Sequence, residues 1–148
     1  MTKEYCGTIE LGSQIDITDP CYDEDVWCRI NRFPISPGTY DCFVEYASNK
    51  ETRGFGKRVA KISIVKSHTD RATSYERKGS IGVDAGMAGF FAVDNVKIFE
   101  DVILAGEIED VYLGDGYFCS SSGYGDGSYD VYAGYNNEGL VEVYIKFI

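Results

Sequence analysis

The chain has 148 residues, which fits one domain, and its 44% hydrophobic and 14% aromatic residues can fill a core, so we do not expect global disorder. Its net charge of −10 disfavours long duplex nucleic acid as a partner, because the phosphates would be repelled. There is no apolar run of membrane-spanning length and no apolar N-terminal stretch of signal-peptide length. We therefore expect a cytosolic protein with no membrane partner.

Alternation of apolar and polar residues predicts strands along much of the chain. The predicted strands are Thr8–Leu11, Ser13–Thr18, Thr39–Tyr46, Lys57–Lys66, Ser80–Asp84 and Tyr117–Ser121. Between them, Asn31–Gly38 contains two prolines and His68–Lys78 is polar and charged, so both are expected to be loops, the second a mobile one. A third loop is expected at Ser48–Gly56.

Two segments favour short helices. Asp19-Pro20 is a typical helix start, so we expect a helical turn over Cys21–Arg29. Asp94–Ala105 has a capping residue and an apolar face at helical spacing, although its many Val and Ile residues leave a strand pair possible.

The end of the chain predicts a β-hairpin. Val141, Val143, Ile145 and Phe147 alternate with polar residues, a Tyr- and Val-rich run precedes them, and Asn136–Gly139 supplies the turn. The fold class expected for residues 1–148 is mainly β (β-rich α+β). It is a single-domain sandwich or open barrel of roughly six to nine strands with one or two short helices and this C-terminal hairpin.

Charge is unevenly distributed, because residues 50–78 carry net +6 whereas the segments on either side carry −6 and −10. This basic band, with interleaved aromatic residues, is expected to bind a small anionic ligand of nucleotide type. The predicted ligand-binding residues are Arg53, Lys57, Arg58, Lys61, Arg71, Tyr75, Arg77 and Lys78. Alternation places Arg58 and Lys66 on the opposite side of the strand from Lys57 and Lys61. The competing interpretation is a solvated edge whose lysines prevent aggregation.

Several aspartates lie beside Gly or Pro in turns, namely Asp19, Asp84, Asp115 and Asp126. Asp beside Gly is typical of ordinary turns, in which the carboxylate accepts a hydrogen bond from its own backbone. An intermediate interpretation is that Asp19, Asp84 and Asp126 are buried acceptors that tie loops together, with Gly125 and Gly127 shaping the terminal loop. The same carboxylates could instead hold Ca²⁺ or Mg²⁺, but none of the spacings matches a calcium loop, so no cofactor is predicted.

Nucleophilic catalysis by Cys21 with His68 as its base has weak support, because no hydrolase signature surrounds the cysteine. Five cysteines without a Cys-x-x-Cys pair indicate free thiols rather than a zinc site or a disulfide framework.

Three short motifs resemble an uncharacterised bacterial family, domain of unknown function 4241. They are the terminal Ser122–Tyr132 with Gly134, Tyr135 and Gly139, the turn Val83–Gly86, and Asp19-Pro20 after an early strand. The stretch Thr18–Tyr22 also resembles small bacteriophage proteins, which would place the protein in the host cytosol. Ala85 replaces a Ser of the family turn, and the resemblance implies a compact β-rich protein without an established activity.

The function that these patterns favour is non-catalytic binding, which sequesters a small anionic ligand or blocks a partner protein. Two alternatives stay open: a hydrolase in which turn aspartates and a divalent cation activate water, and an acidic decoy for a basic partner. The patterns leave the oligomeric state open.

Overall fold

The computed structural model describes residues 2–20, 29–48, 58–84, 86–93, 111–123 and 125–148. These residues form eleven β-strands and no helix. The strands are β1 (Thr2–Leu11), β2 (Gln14–Thr18), β3 (Ile30–Pro34), β4 (Gly38–Ala47), β5 (Arg58–Lys66), β6 (Ser74–Val83), β7 (Met87–Ala92), β8 (Val111–Gly114), β9 (Tyr117–Ser121), β10 (Gly127–Asn136) and β11 (Gly139–Lys146).

The strands form two antiparallel sheets. One has six strands in the order β1-β4-β5-β11-β10-β6, and the other has five in the order β3-β2-β7-β9-β8. In the six-stranded sheet, β5 pairs with β11, so strands from the first half of the chain join the terminal hairpin at the centre of the sheet.

One hydrophobic cluster joins the inner faces of both sheets. Ile62 and Ile145 from the six-stranded sheet belong to the same cluster as Ile17, Phe90 and Phe118 from the five-stranded sheet, and all five are fully buried. Alternating inward positions on both sheets therefore build the core, as in a β-sandwich. Of the two predicted architectures, the sandwich is correct.

The outer faces of the two sheets differ. On the five-stranded sheet, Phe91, Tyr112 and Cys119 form a second buried cluster on the side away from the core. On the six-stranded sheet, outward side chains such as Tyr5 and Tyr75 are 60% and 50% exposed. The outer face of the six-stranded sheet is therefore the broad solvent-facing surface of the described residues.

The C-terminal hairpin and the strand over 39–46 are confirmed, whereas Ala85 of the predicted turn before β7 lies outside the described residues. Two expectations are wrong: Asn31–Gly38 contributes strand β3 and the start of β4, and the second half of His68–Lys78 belongs to β6. The described residues contain more strands than expected. Most of the predicted helix Cys21–Arg29, all of Asp94–Ala105 and most of the Ser48–Gly56 loop lie outside the described residues.

Candidate functional site

A row of aromatic side chains crosses the outer face of the six-stranded sheet. Tyr5 on β1 pairs with Phe43 on β4, and Tyr144 on β11 pairs with Tyr132 on β10. Ser63 on β5 pairs with both Phe43 and Tyr144 and so lies between the two halves. We call Tyr5, Phe43, Tyr144 and Tyr132 the aromatic row.

The rings of the aromatic row contact one another. Tyr132 and Tyr144 stack with ring centroids 4.9 Å apart and an interplanar angle of 13°. Tyr5 and Phe43 form a tilted pair at 5.7 Å, and Tyr75 on β6 meets Tyr144 edge-on at 5.7 Å. Such pairs contribute about 0.5–1.5 kcal/mol each beyond the area they bury. The row is therefore ordered by its own contacts.

Two lysines lie over rings of the row. Lys61 Nζ is 4.2 Å from the ring centre of Tyr144 and 3.1 Å from a carboxylate oxygen of Glu45. Lys3 Nζ lies 4.6 Å from the ring centre of Phe43. A cation over an exposed ring contributes about 0.5–1 kcal/mol. Lys61 thus has two partners within the protein and is not an isolated positive charge.

Strand β6 adds a tyrosine and an arginine beside the row. Arg77 pairs with Tyr132 across the ladder, and its Nε donates to Asp130 at 3.0 Å. The Tyr75 hydroxyl donates to Glu142 at 3.1 Å. Partial desolvation of the half-exposed Tyr75, reinforced by the Glu142 carboxylate, raises its pKa to about 12, so this hydroxyl stays protonated at neutral pH.

The predicted basic band does not form one positive surface in the described residues. Lys61 and Arg77 share the outer face, each beside a carboxylate. Lys78 is the bulge residue of β6, and its Nζ is 2.9 Å from Glu76. Pairing with Glu45 and Asp130, which lie outside the band, therefore lowers the positive potential at Lys61 and Arg77.

The remaining cations of the band are dispersed. Arg58 Nη1 donates to the carbonyl of Gly123 in the terminal loop at 3.1 Å. Lys66 pairs with the inward-facing Tyr40, so it does not share the outer face with Lys61, as alternation predicted. For Arg58 the prediction fails, because a bulge at Ala60 shifts the register and pairs Arg58 with Ala47, the residue after inward-facing Tyr46. Arg71 is exposed between β5 and β6. Arg53 and Lys57 lie outside the described residues.

Asp19 is a buried acceptor, as expected, and it ties two loops together. It is fully buried, and its Oδ2 accepts the backbone N–H of Asp84 at 2.8 Å. The side chains of Asp84 and Asp126 are exposed, so the expectation that they too are buried acceptors is wrong. Asp115 is also exposed. Side chains beside turn glycines are often solvent-exposed because the turn itself lies at the protein surface.

The terminal glycine-rich loop packs on its own protein. Gly125 O accepts the hydroxyls of Ser122 and Tyr129, both at 2.7 Å, and the backbone N–H of Ser122 donates to Gly86 at 2.9 Å. Gly123 has φ 67°, and a Cβ there would lie 2.9 Å from a backbone oxygen of β5. These contacts support a structural role for the loop, with Gly127 opening β10.

A buried ion pair lies on the five-stranded side. Arg29 Nη2 is 3.1 Å from Asp16 Oδ2, and the two side chains are 1% and 6% exposed. Asp16 Oδ1 also accepts the backbone N–H of Arg32 at 2.9 Å, and Arg29 Nε donates to Asn31. This network holds β3 against β2 and has the burial of a structural element rather than of an open site.

A cleft of about 470 Å³ opens between the edge strands β1 and β8. Glu10 and Asp115 line it together with Leu113, which is 37% exposed. Two carboxylates and no cation line this cleft, so it does not suit the anionic ligand that the sequence suggested.

No group of three or more His, Cys, Asp or Glu side chains in the described part of the chain could hold a metal ion. His68 lies in the turn after β5 with φ 61°, whereas Cys21 lies outside the described residues, so their pairing stays a prediction. The described residues also contain no helix that is long and apolar enough to cross a bilayer.

No family model matches the chain, and comparisons with curated proteins and with solved structures found no match either. The resemblance to domain of unknown function 4241 stays a prediction.

Sequence reasoning missed the aromatic row, although a signal for it exists. Phe43 lies between Asp41 and Glu45, and Tyr144 lies between Glu142 and Lys146, each on the polar side of an alternating strand. An aromatic residue flanked at i−2 and i+2 by charges is expected to face solvent with them. The pairing of Asp16 with Arg29 has no comparable signal.

Proposed function

We propose that the chain is a non-catalytic binding protein and that its partner is a protein held on the outer face of the six-stranded sheet. The observation that carries this proposal is the ordered, solvent-facing aromatic row with Tyr75 and Arg77 at its margin. Tyrosine and arginine are enriched at protein interfaces and among the residues that dominate binding energy.

The contacts of the row favour a protein over a stacked nucleotide. One face of Tyr144 is covered by Tyr132 and Lys61 lies over the ring, so a base would have to displace an existing partner to stack there. Lys61 and Arg77 each already have a carboxylate partner, so a phosphate would compete with Glu45 and Asp130. A protein can bind the hydroxyl edges of the tyrosines without breaking these pairs.

The face has the size of a small protein interface. Six strands each about 4.8 Å wide and three rows of outward side chains each about 7 Å deep cover about 29 Å by about 21 Å, on the order of 600 Å². That area is below the about 800 Å² per partner of a standard interface and fits a weak, transient one, which also has a hydrophobic centre and a polar rim. The aromatic row supplies the centre, and the flanking charges supply the rim.

The proposal is tested by affinity capture from extracts of cells that naturally make the protein. The immobilised proteins are the wild type, the double variant Tyr75→Ala/Arg77→Ala and the control Lys78→Ala. Arg77 and Lys78 are adjacent exposed cations, each paired with one carboxylate, but only Arg77 faces the aromatic row. The captured partner is then purified, and its affinity for each variant is measured by calorimetry.

We expect the double variant to bind at least about 30-fold more weakly, which corresponds to about 2 kcal/mol, and Lys78→Ala to bind like the wild type. Equal binding by all three proteins would refute the proposal. Native mass spectrometry of the purified protein decides between partner classes. A retained small anion that the double variant loses would favour the ligand-sequestration form of the prediction.

A further inference from the structure

Cys6 is the extra residue of a β-bulge on the edge strand β1. Tyr5 pairs with Phe43 and Gly7 pairs with Cys42, so Cys6 and Gly7 together oppose Cys42. Opposed residues of antiparallel strands, here Gly7 and Cys42, lie about 4.5–5.5 Å apart at Cα, and disulfide-bonded cysteines lie about 4.4–6.8 Å apart. Cys6 is the neighbour of Gly7 within the bulge, and its thiol is close enough to Cys42 to raise the pKa of that thiol, so the bulge brings the two cysteines next to each other.

Both thiols lie on the inner side of the sheet. Cys42 is fully buried in the main hydrophobic cluster, and Cys6, which is half-buried, packs against the same cluster. Both cysteines are free, and each thiol makes a weak hydrogen bond to the carbonyl two residues earlier, at 3.8 Å for Cys6 and 3.9 Å for Cys42, while Cys6 also has a hydrogen bond with the backbone of Val44. Little is lost if the sulfurs turn toward each other.

We infer that Cys6 and Cys42 are a reversible disulfide site that responds to low-molecular-weight disulfides such as oxidised glutathione. The Cys6 thiolate attacks one sulfur of that disulfide, forms a mixed disulfide and releases one thiol. The Cys42 thiolate then attacks the Cys6 sulfur and releases the second thiol. Two protein thiols are oxidised to one disulfide, one small disulfide is reduced to two thiols, and the two cysteine protons end on the released thiolates.

Burial sets the rate of this exchange. It raises the pKa of Cys6 and raises that of Cys42 well above its usual range, with the nearby Cys6 thiol as a further cause for Cys42. Thiolates are therefore scarce near pH 7, and the bond forms slowly, with the more exposed Cys6 as the point of entry. Below the pKa, each pH unit provides tenfold more thiolate.

The bond would fix the edge strand beside one end of the aromatic row. Tyr5 is the residue before Cys6, and Phe43 is the residue after Cys42. The site does not depend on the proposed partner, because it follows from the bulge alone.

The test is peptide mapping of the folded wild-type protein after incubation with oxidised glutathione. Free thiols are blocked by alkylation, and the protein is digested with trypsin together with endoproteinase Glu-C. Cleavage after Lys, Arg and Glu places Cys6 in residues 5–10 and Cys42 in residues 33–45, and every other cysteine falls in a different peptide. The expected result is a 5–10/33–45 linked peptide that dithiothreitol removes and that forms up to about 100-fold faster at about pH 9 than at about pH 7.

Two variants serve as controls. Cys6→Ser should abolish the linked peptide, and its position is partly exposed, so the fold should survive. Cys119→Ala, which removes a buried thiol of the five-stranded sheet, should leave the linked peptide unchanged. The inference is overturned if folded wild-type protein gives only a glutathione adduct on Cys6, or links Cys6 to a cysteine other than Cys42.

Discussion

Replacing Gly89 by alanine is expected to disrupt the five-stranded sheet, because β7 and β9 approach too closely there for any side chain. A Cβ at Gly89 would lie 2.2 Å from the Cβ of Cys119 and 2.4 Å from the carbonyl oxygen of Phe118, whereas ordinary contact begins at 3.4 Å. The two strands would have to separate by more than an ångström. Gly89 also pairs with Thr18 on its other side, so the displacement would press β7 toward β2.

The cost follows from two contributions. Overpacking a filled site costs about 1–3 kcal/mol, and each ladder hydrogen bond lost between β7 and β9 costs about 1 kcal/mol more. We therefore expect Gly89→Ala to lose about 3–5 kcal/mol of unfolding free energy. For a domain of this size, that loss corresponds to a melting temperature lower by at least about 6 °C.

The assay is urea denaturation followed by circular dichroism, with Gly12→Ala as the matched control. Nothing lies within 4 Å of a Cβ built at Gly12, so alanine there should be neutral or stabilise by up to about 1 kcal/mol. If Gly89→Ala unfolds within about 1 kcal/mol of the wild type, the close approach of β7 and β9 is not a feature of the folded protein.

Other predictions concern buried polar groups. Arg29→Ala should cost about 3–5 kcal/mol in urea denaturation because it leaves Asp16 buried without its charge partner, and a loss under about 1 kcal/mol would contradict this. Asp19→Ala should lower the unfolding free energy by about 1–3 kcal/mol, whereas Asp126→Ala, at an exposed position, should change it by less than about 0.5 kcal/mol. A larger loss for Asp126→Ala than for Asp19→Ala would contradict the role of Asp19 as the buried acceptor that joins the loops. Burial raises the pKa of Tyr40 to about 12 against about 10 in the unfolded chain. The protonated Tyr40 hydroxyl therefore contributes about 2–3 kcal/mol to the unfolding free energy below about pH 10, and this contribution is lost by about pH 12. In Tyr40→Phe, urea denaturation curves measured between about pH 10 and 12 should no longer show this loss of unfolding free energy.

The strands that the sequence predicted well have one buried face and one solvent-exposed face. In β4 and β11, Val44 and Val143 alternate with charged and aromatic residues, and the period of two is unmistakable. The first half of β6 was missed because β6 is an edge strand, where the residues from Tyr75 to Lys78 are all exposed and no apolar periodicity remains, whereas its second half lies in the predicted strand Ser80–Asp84. Strand β3 was missed because Pro34 ends it, and proline is tolerated in edge strands.

Charge could be predicted from the sequence along the chain but not across the sheet. Residues 50–78 are basic along the sequence, but strand pairing brings Glu45 beside Lys61 and Asp130 beside Arg77. Those carboxylates come from distant segments, and only the register of the ladder places them there. Pairing geometry, not composition, therefore decided which cations remain available to a partner.

The pairing of β5 with β11 also has a consequence for synthesis on the ribosome. Some seventy residues separate the end of β5 at Lys66 from the start of β11 at Gly139. At about 5–20 residues per second, β5 emerges several seconds before its neighbour exists. During that interval its edge and its apolar residues Ile62 and Ile64 have no partner from β11, which is the condition under which nascent strands aggregate or recruit chaperones.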